Sequence, residues 1–320
     1  MIQEKINLRQ SRDFGETFNA SIRLIRQNFK VFFLSVLFIA GPFVLFASIA
    51  GAFYQSDAMH HILSPADLQT RNPMDIVLRQ LGMWYFIFIF AASLAQMILT
   101  CTVFAFMVTY QEKGPGNFNV GDVSSRFGKN IANMLITYVS LFLLTGIAVA
   151  ILAGILVATA MASPILAILI GFLIALGLLL VGPNIFWVFS TIYLAVMQPD
   201  VPWVRGFTRP RKVMRNNFWW TWVIVACCTI AVWLMGLVFI LPQSGYQMML
   251  VFTRGGGEAS IGFLIVATIC TFCATLLYSL MYIVFGVHFY SLSEKQDGLG
   301  MLERINEIGT TQSTNVNQQY

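Results

Sequence analysis

The sequence predicts an all-α integral membrane protein of six transmembrane helices, arranged as three pseudo-repeated units of interfacial amphipathic helix plus transmembrane hairpin, with both termini cytoplasmic. Three observations predict it. Of 320 residues, 58% are hydrophobic and only 10% charged, and the mean hydropathy is +0.74. That balance excludes an ordinary globular enzyme, a nucleic-acid binder and a disordered chain. All charged side chains, 19 Lys+Arg and 14 Asp+Glu, fall outside five uncharged tracts at 31–54, 82–110, 131–197, 218–252 and 259–292, each longer than the roughly 20 residues that cross a bilayer core. The cations are also lopsided: 16 of the 19 lie before the first tract, between the second and third, between the third and fourth, or after the last. Lys and Arg are retained on the cytoplasmic side during insertion, which places both chain ends there, in the inner (plasma) membrane.

The first 30 residues are polar and basic, and the apolar run that follows is too long for a signal-peptide core. No cleavable signal is therefore expected, and span 1 (31–54) reads as an uncleaved anchor. Gly41-Pro42 should kink it, because proline withdraws a backbone donor. The outer loop 55–81 holds Pro65 and Pro73, with a short surface helix expected from Met74 into span 2 (82–110). The third tract has 67 residues and as one helix would extend about 100 Å at ~1.5 Å per residue. It must turn back. Ser163-Pro164 is the natural break, giving span 3 (131–162) and span 4 (165–197), the latter with its own kink at Gly182-Pro183. Spans 5 and 6 occupy 218–252 and 259–292. One membrane domain thus covers 1–292. The tail, 293–320, carries Leu299, Leu302, Ile305 and Ile308 at three-residue steps, a short cytoplasmic helix before a flexible end. Trp84, Tyr85, Trp203, Trp219, Trp220 and Trp222 suit the lipid interface as depth markers.

The approaches to spans 1, 3 and 5 align on Asn28, Asn130 and Asn217. Ile25, Phe127 and Met214 stand three positions earlier, Phe18, Val120 and Phe207 ten earlier, and Arg23, Arg26, Arg126, Lys129, Lys212 and Arg215 lie between. In the first copy Phe14, Phe18, Ile22, Ile25 and Phe29 form one apolar stripe. Each copy reads as an interfacial helix (13–29, 119–130, 202–216) with its aromatic face toward lipid, ending in an elbow. Asn suits an elbow because it tolerates the left-handed conformation or caps the next helix. Arg23, Arg26, Lys129, Lys212 and Arg215 are candidates for anionic headgroups, each Lys or Arg near such a surface gaining about 1 kcal/mol.

These features resemble the membrane domain of the glycerophosphoryl diester phosphodiesterase type and its six-span bacterial relatives. The resemblance rests on Phe14-x-x-x-Phe18 with Arg26-x-Asn28-Phe29, and on Arg215-x-Asn217-Phe218-Trp219. The ending Phe289-Tyr290-x-Leu292-x-Glu294 with Gly298-Leu299-Gly300 is similar to that of Bacteroidetes-type members. It covers nearly the whole chain, through loose motifs that specify topology more than activity. In fused relatives catalysis resides in a separate soluble barrel, for which this chain shows no room, so the resemblance implies the fold and not the enzyme.

Inside the spans, two patterns bear on function. Gly146, Ala150, Gly154 and Ala158 repeat every four residues on span 3, a face without bulk, expected to pack against span 4 or to serve as a homodimer seam. Span 6 carries Thr268, Thr271, Thr275, Ser279 and Tyr282, and span 2 carries Gln96 near mid-depth. These either line a polar groove for a small molecule or lipid headgroup or only bond helix to helix. No Asp, Glu, Lys or Arg lies in any span, which argues against an ion-driven pump. No catalytic set, cofactor site or metal site is expected. His60-His61 lacks further ligands, and Cys101, Cys227, Cys228, Cys270 and Cys273 read as packing thiols. Two readings follow: a non-enzymatic structural or accessory subunit, working with lipids and with other membrane proteins or itself, in envelope biogenesis or protein translocation; or a transporter or lipid-handling protein with a groove between spans 2 and 6.

Overall fold

The computed structural model describes residues 5–63, 82–198, 203–254 and 260–298. Among them it contains helices and no strand: α1 (Phe14–Gln27), α2 (Phe29–Ser35), a π-helical turn (Val36–Ala40), α3 (Gly41–Leu63), α4 (Met83–Lys113), α5 (Val120–Ala162), α6 (Pro164–Val196), α7 (Trp203–Arg215), α8 (Phe218–Arg254) and α9 (Ile261–Asp297). Six stretches are long and apolar enough to cross a membrane: Phe29–Met59, Met83–Lys113, Val120–Ala162, Pro164–Val196, Phe218–Leu250 and Ile261–Asp297. They correspond to spans 1 to 6. The surface helix expected from Met74 and the tail helix through Leu302 lie outside the described residues.

Local chemistry sets the boundaries. Asp13 and Glu16 form a reciprocal capping box at the start of α1, and Asn119 and Asp122 do the same for α5, so the free N–H groups of each first turn are satisfied. Pro164 opens α6, where its missing N–H has no helical partner to lose. Gly114 (φ 77°) and Gly298 (φ 62°) end α4 and α9 in conformations that a Cβ would strain. The Gly41-Pro42 irregularity takes the form of the π turn, in which the Gly41 N–H reaches back to Val36 O.

Two of the three expected elbows are present. Asn28 and Asn217 make the same bonds: the backbone N–H donates to the carbonyl three residues back (Ile25 O, 3.2 Å; Met214 O, 2.8 Å), and the carbonyl accepts from the residue four ahead (Phe32 N and Thr221 N, both 2.9 Å). Each side-chain amide donates to the carbonyl four back, Leu24 O and Val213 O, at 3.4 Å. The left-handed rationale is corrected, since Asn28 sits at φ −128°, ψ 28°. Asparagine here supplies a donor to a carbonyl freed by the turn. The elbow at Asn130 is also corrected. Its amide makes the same bond, to Arg126 O at 3.0 Å, yet α5 runs unbroken through it. Nothing at 131–134 interrupts the i to i−4 ladder, and helical residues continue on both sides.

The α1 helix packs on the bundle through Thr17, Ala20, Ser21 and Leu24. Phe14, Phe18 and Ile25 are half-buried beside that face, while Ile22 and Phe29 are exposed. The segment before it, polar and basic in sequence, forms a strap across the end of the bundle. Leu8 is buried, the Ile6 N–H donates to Tyr110 Oη (2.9 Å), and the Arg12 N–H donates to Ser291 Oγ (2.8 Å). The buried Arg12 guanidinium is held by Leu8 O (2.9 Å) and by Asn7 O. Arg126 pairs with Glu112, and Arg209 pairs with Asp297 at 2.8 Å. These contacts gather residues 5–28, 112–130, 203–217 and 291–298, with Gln198, at one basic end. From that end α5 and α6 diverge as a hairpin: no residue from Phe142 to Pro183 is buried.

Candidate functional site

The divergence of the hairpin leaves a cavity of about 580 Å³ between α3, α4, α6, α8 and α9, lined by Ala47, Ser48, Phe88, Ala92, Ala95, Gln96, Gly182, Pro183, Phe186, Val225, Thr229, Thr271, Thr275, Tyr278 and Met281. Its walls are apolar except where Gln96, Tyr278 and the hydroxyls meet. Ser48, Thr229 and Thr275 each donate to the carbonyl four residues back, Val44 O (2.8 Å), Val225 O (2.8 Å) and Thr271 O (2.7 Å). Their protons are committed, so each offers a further partner its lone pairs. The Gln96 amide donates to Tyr282 Oη, which fixes its side chain. No charged residue lines the cavity. A ligand that matches it is therefore largely apolar and carries hydroxyl or amine donors.

Of the groove residues expected from sequence, Gln96, Thr271 and Thr275 line this cavity. Tyr282 is buried behind Gln96, and Ser279 is buried. Thr268 lines a separate recess of about 290 Å³ with Ile49, Ala52, Phe53 and Ile265. One stripe at three- and four-residue steps thus divides among three environments, since it runs about 21 Å along α9 and meets different neighbours at each depth. Sequence reasoning missed Ser48, Thr229 and Tyr278, whose only signal was a polar atom in an uncharged span.

Pro183 forms part of the wall, and its lost hydrogen bond has a specific replacement. The carbonyl four residues back, Leu179 O, accepts from Trp222 Nε1 at 3.2 Å. Trp222, read from sequence as a depth marker, ties α8 to α6 where α6 cannot satisfy itself.

The small-residue stripe requires correction as an intramolecular seam: Gly146, Ala150, Gly154 and Ala158 are exposed, and a Cβ placed on Gly146 or Gly154 would meet nothing within 4 Å. The hairpin closes instead through the face that holds Leu156 and Gly171. Periodicity showed a smooth face without showing its direction. Arg23, Arg26, Lys129, Lys212 and Arg215 are all exposed. The five cysteines are unpaired, and among the described residues no three His, Cys, Asp or Glu side chains gather as a metal set. The side chains of His60 and His61 lie outside the described residues. His288 is buried, with Nε2 3.1 Å from Thr221 Oγ1. Comparison with protein-family models, curated proteins and solved structures finds no match to this chain.

Proposed function

We propose that this chain is a non-enzymatic multi-pass protein of the inner membrane that handles a lipid or similar amphipathic molecule in the cavity beside Gln96. The observation that carries the reading is the cavity itself: about 580 Å³, open on one side and lined by residues of five of the six spans, uncharged, and equipped with hydrogen-bond acceptors on otherwise apolar walls. That volume falls within the roughly 300–1,000 Å³ of small-molecule sites. Divergence of α5 and α6 favours access from lipid. Under this reading the basic end faces the cytoplasm with both termini, its exposed cations meet anionic headgroups, and α1 and α7 are two copies of an interfacial unit whose third copy has merged into α5. The resemblance to the phosphodiesterase-type membrane domain belongs to the same reading, as a shared topology without the barrel.

Retention of lipid tests it. Native mass spectrometry of the protein from mild detergent should show a bound lipid, and Ala92→Trp or the pair Gln96→Leu and Thr275→Val should lose it while the protein remains folded. Undiminished lipid in both variants would refute the reading. A second reading, an accessory subunit that binds other membrane proteins or a second copy, is favoured by the exposed Gly146, Ala150, Gly154 and Ala158 face. It requires a stoichiometric companion on purification that Gly154→Leu removes; a protein that stays solitary contradicts it.

A further inference from the structure

Depth and hydrogen-bonding chemistry together narrow the occupant of the cavity beside Gln96. At ~1.5 Å per residue, Gln96 stands about 20 Å or more from either end of α4, and Thr275 likewise from either end of α9. The polar part of the cavity therefore lies near the middle of the helices, and no charged residue lines it. A headgroup phosphate or ammonium drawn to that depth would lose its water and find no opposite charge in exchange.

The cavity offers donors and acceptors in its place, on side chains that a ligand reaches. Among its lining residues Thr229 and Tyr278 are exposed, and Gln96 and Thr275 are half-buried. Thr229 and Thr275 have given their protons to Val225 O and Thr271 O, so toward the cavity they accept. Gln96 spends one N–H on Tyr282 Oη, which leaves its second N–H and its carbonyl oxygen. The Tyr278 hydroxyl has both a proton and lone pairs to give. A phosphate oxygen only accepts and would face the lone pairs of Thr229 and Thr275. A hydroxyl gives one proton and accepts another, and this mixture satisfies it in both roles. Around these groups Phe88, Phe186, Val225 and Met281 supply walls suited to hydrocarbon.

The geometry points to an uncharged lipid whose polar end is a free hydroxyl, of the diacylglycerol or long-chain alcohol type, as the ligand of this cavity in preference to any phospholipid. The inference rests on the proposed lipid-handling role of the cavity and adds the class of lipid. About 580 Å³ receives the hydroxyl end and the beginning of a chain, and the remaining hydrocarbon leaves through the open side into the bilayer. Lipids are thereby sorted by depth: the exposed cations of the basic end suit charged headgroups, and the cavity takes the lipid that has no charge to desolvate.

Native mass spectrometry of the full chain in an amine-oxide detergent, which brings no hydroxyl to compete, tests the assignment. The probes share dioleoyl chains: diacylglycerol, its 3-acetyl ester, phosphatidylglycerol and phosphatidylethanolamine. Diacylglycerol should bind once per chain, with an apparent Kd about tenfold or more below that of both phospholipids and of the acetyl ester, which lacks the hydroxyl proton. Ala92→Trp should abolish that adduct, and Gln96→Leu with Thr275→Val should weaken it about tenfold. Should Ala92→Trp fold poorly, the polar pair and the acetyl ester carry the test. A phospholipid that binds as tightly as diacylglycerol and is lost in these variants overturns the hydroxyl-lipid assignment while the cavity remains a lipid site. Equal binding of the acetyl ester does the same. If no probe forms an adduct that Ala92→Trp or the polar pair diminishes, the assignment and the lipid site fall together.

Discussion

Replacing Trp222 with Phe removes one N–H and little else, and the structure states what that N–H does. Pro183 cannot donate to Leu179 O, and Trp222 Nε1 stands 3.2 Å from that oxygen. In water the orphaned carbonyl would be solvated; within a bilayer core no water replaces the bond. Hydrogen bonds between membrane helices average ~0.6 kcal/mol and reach ~1.7, so Trp222→Phe should lower the folded-to-unfolded ratio roughly 3- to 18-fold through this bond, with a further loss from the smaller ring. A double-mutant cycle separates the two contributions. Pro183→Ala restores an N–H at position 183, and α6 can then satisfy Leu179 O by itself. In that background Trp222→Phe should retain only its packing cost. The assay is reversible unfolding in mixed micelles, followed by tryptophan-independent circular dichroism. An equal cost of Trp222→Phe with and without Pro183 would refute the claim that the indole substitutes for the missing helical bond.

Three further outcomes are expected. Asn28→Ala and Asn217→Ala should each destabilise by about 1 kcal/mol, the typical net worth of one hydrogen bond, whereas Asn130→Ala should be neutral or stabilising because alanine favours a continuous helix; the same unfolding assay ranks all three. Gly206→Ala brings a Cβ within 2.5 Å of Val196 Cγ2 and should cost about 1–3 kcal/mol as an overpacked contact, with Val196→Ala in the same chain recovering most of the loss. Gln at Arg23, Arg26, Lys212 and Arg215 together should reduce co-purified anionic lipid, measured by lipid mass spectrometry; unchanged lipid would remove these residues from that role.

The architecture was legible wherever a single-residue property decided it. Charges excluded from lipid marked five tracts, and a proline without a donor, at Ser163-Pro164, divided the third of them into two spans. Asn28 and Asn217 were legible as break points, although their mechanism is a donated amide and not a left-handed backbone. What escaped reading depends on partners distant in sequence. Leu8 and Arg12 are buried only because Tyr110 and Ser291 meet the strap, and the N–H of Trp222 has meaning only beside the carbonyl that Pro183 frees. The stripe of Gly146 and its companions shows a third limit: helical spacing assigns residues to one face, but the direction of that face is set by how the whole hairpin leans. For the same reason Thr268, Thr275 and Ser279 were grouped by sequence and divided by the fold.

The π turn at Val36–Ala40 has a consequence for insertions and deletions. Phe32, Val36, Ala40 and Val44 follow one another at intervals of four, and none is more than 4% exposed. In a regular helix of 3.6 residues per turn, a four-residue interval overshoots by ~40°, so these three steps would rotate Val44 about 120° away from Phe32. The wider turn absorbs one surplus residue, roughly 100° of that rotation, and keeps the ladder aimed inward. Deleting a single residue such as Phe38 would therefore let the segment relax into an uninterrupted α-helix with Val44 eleven residues from Phe32, only about 20° out of line, so the Ala47 and Ser48 wall keeps its aim; straightening the turn without a deletion would instead swing that wall about a quarter turn toward the lipid.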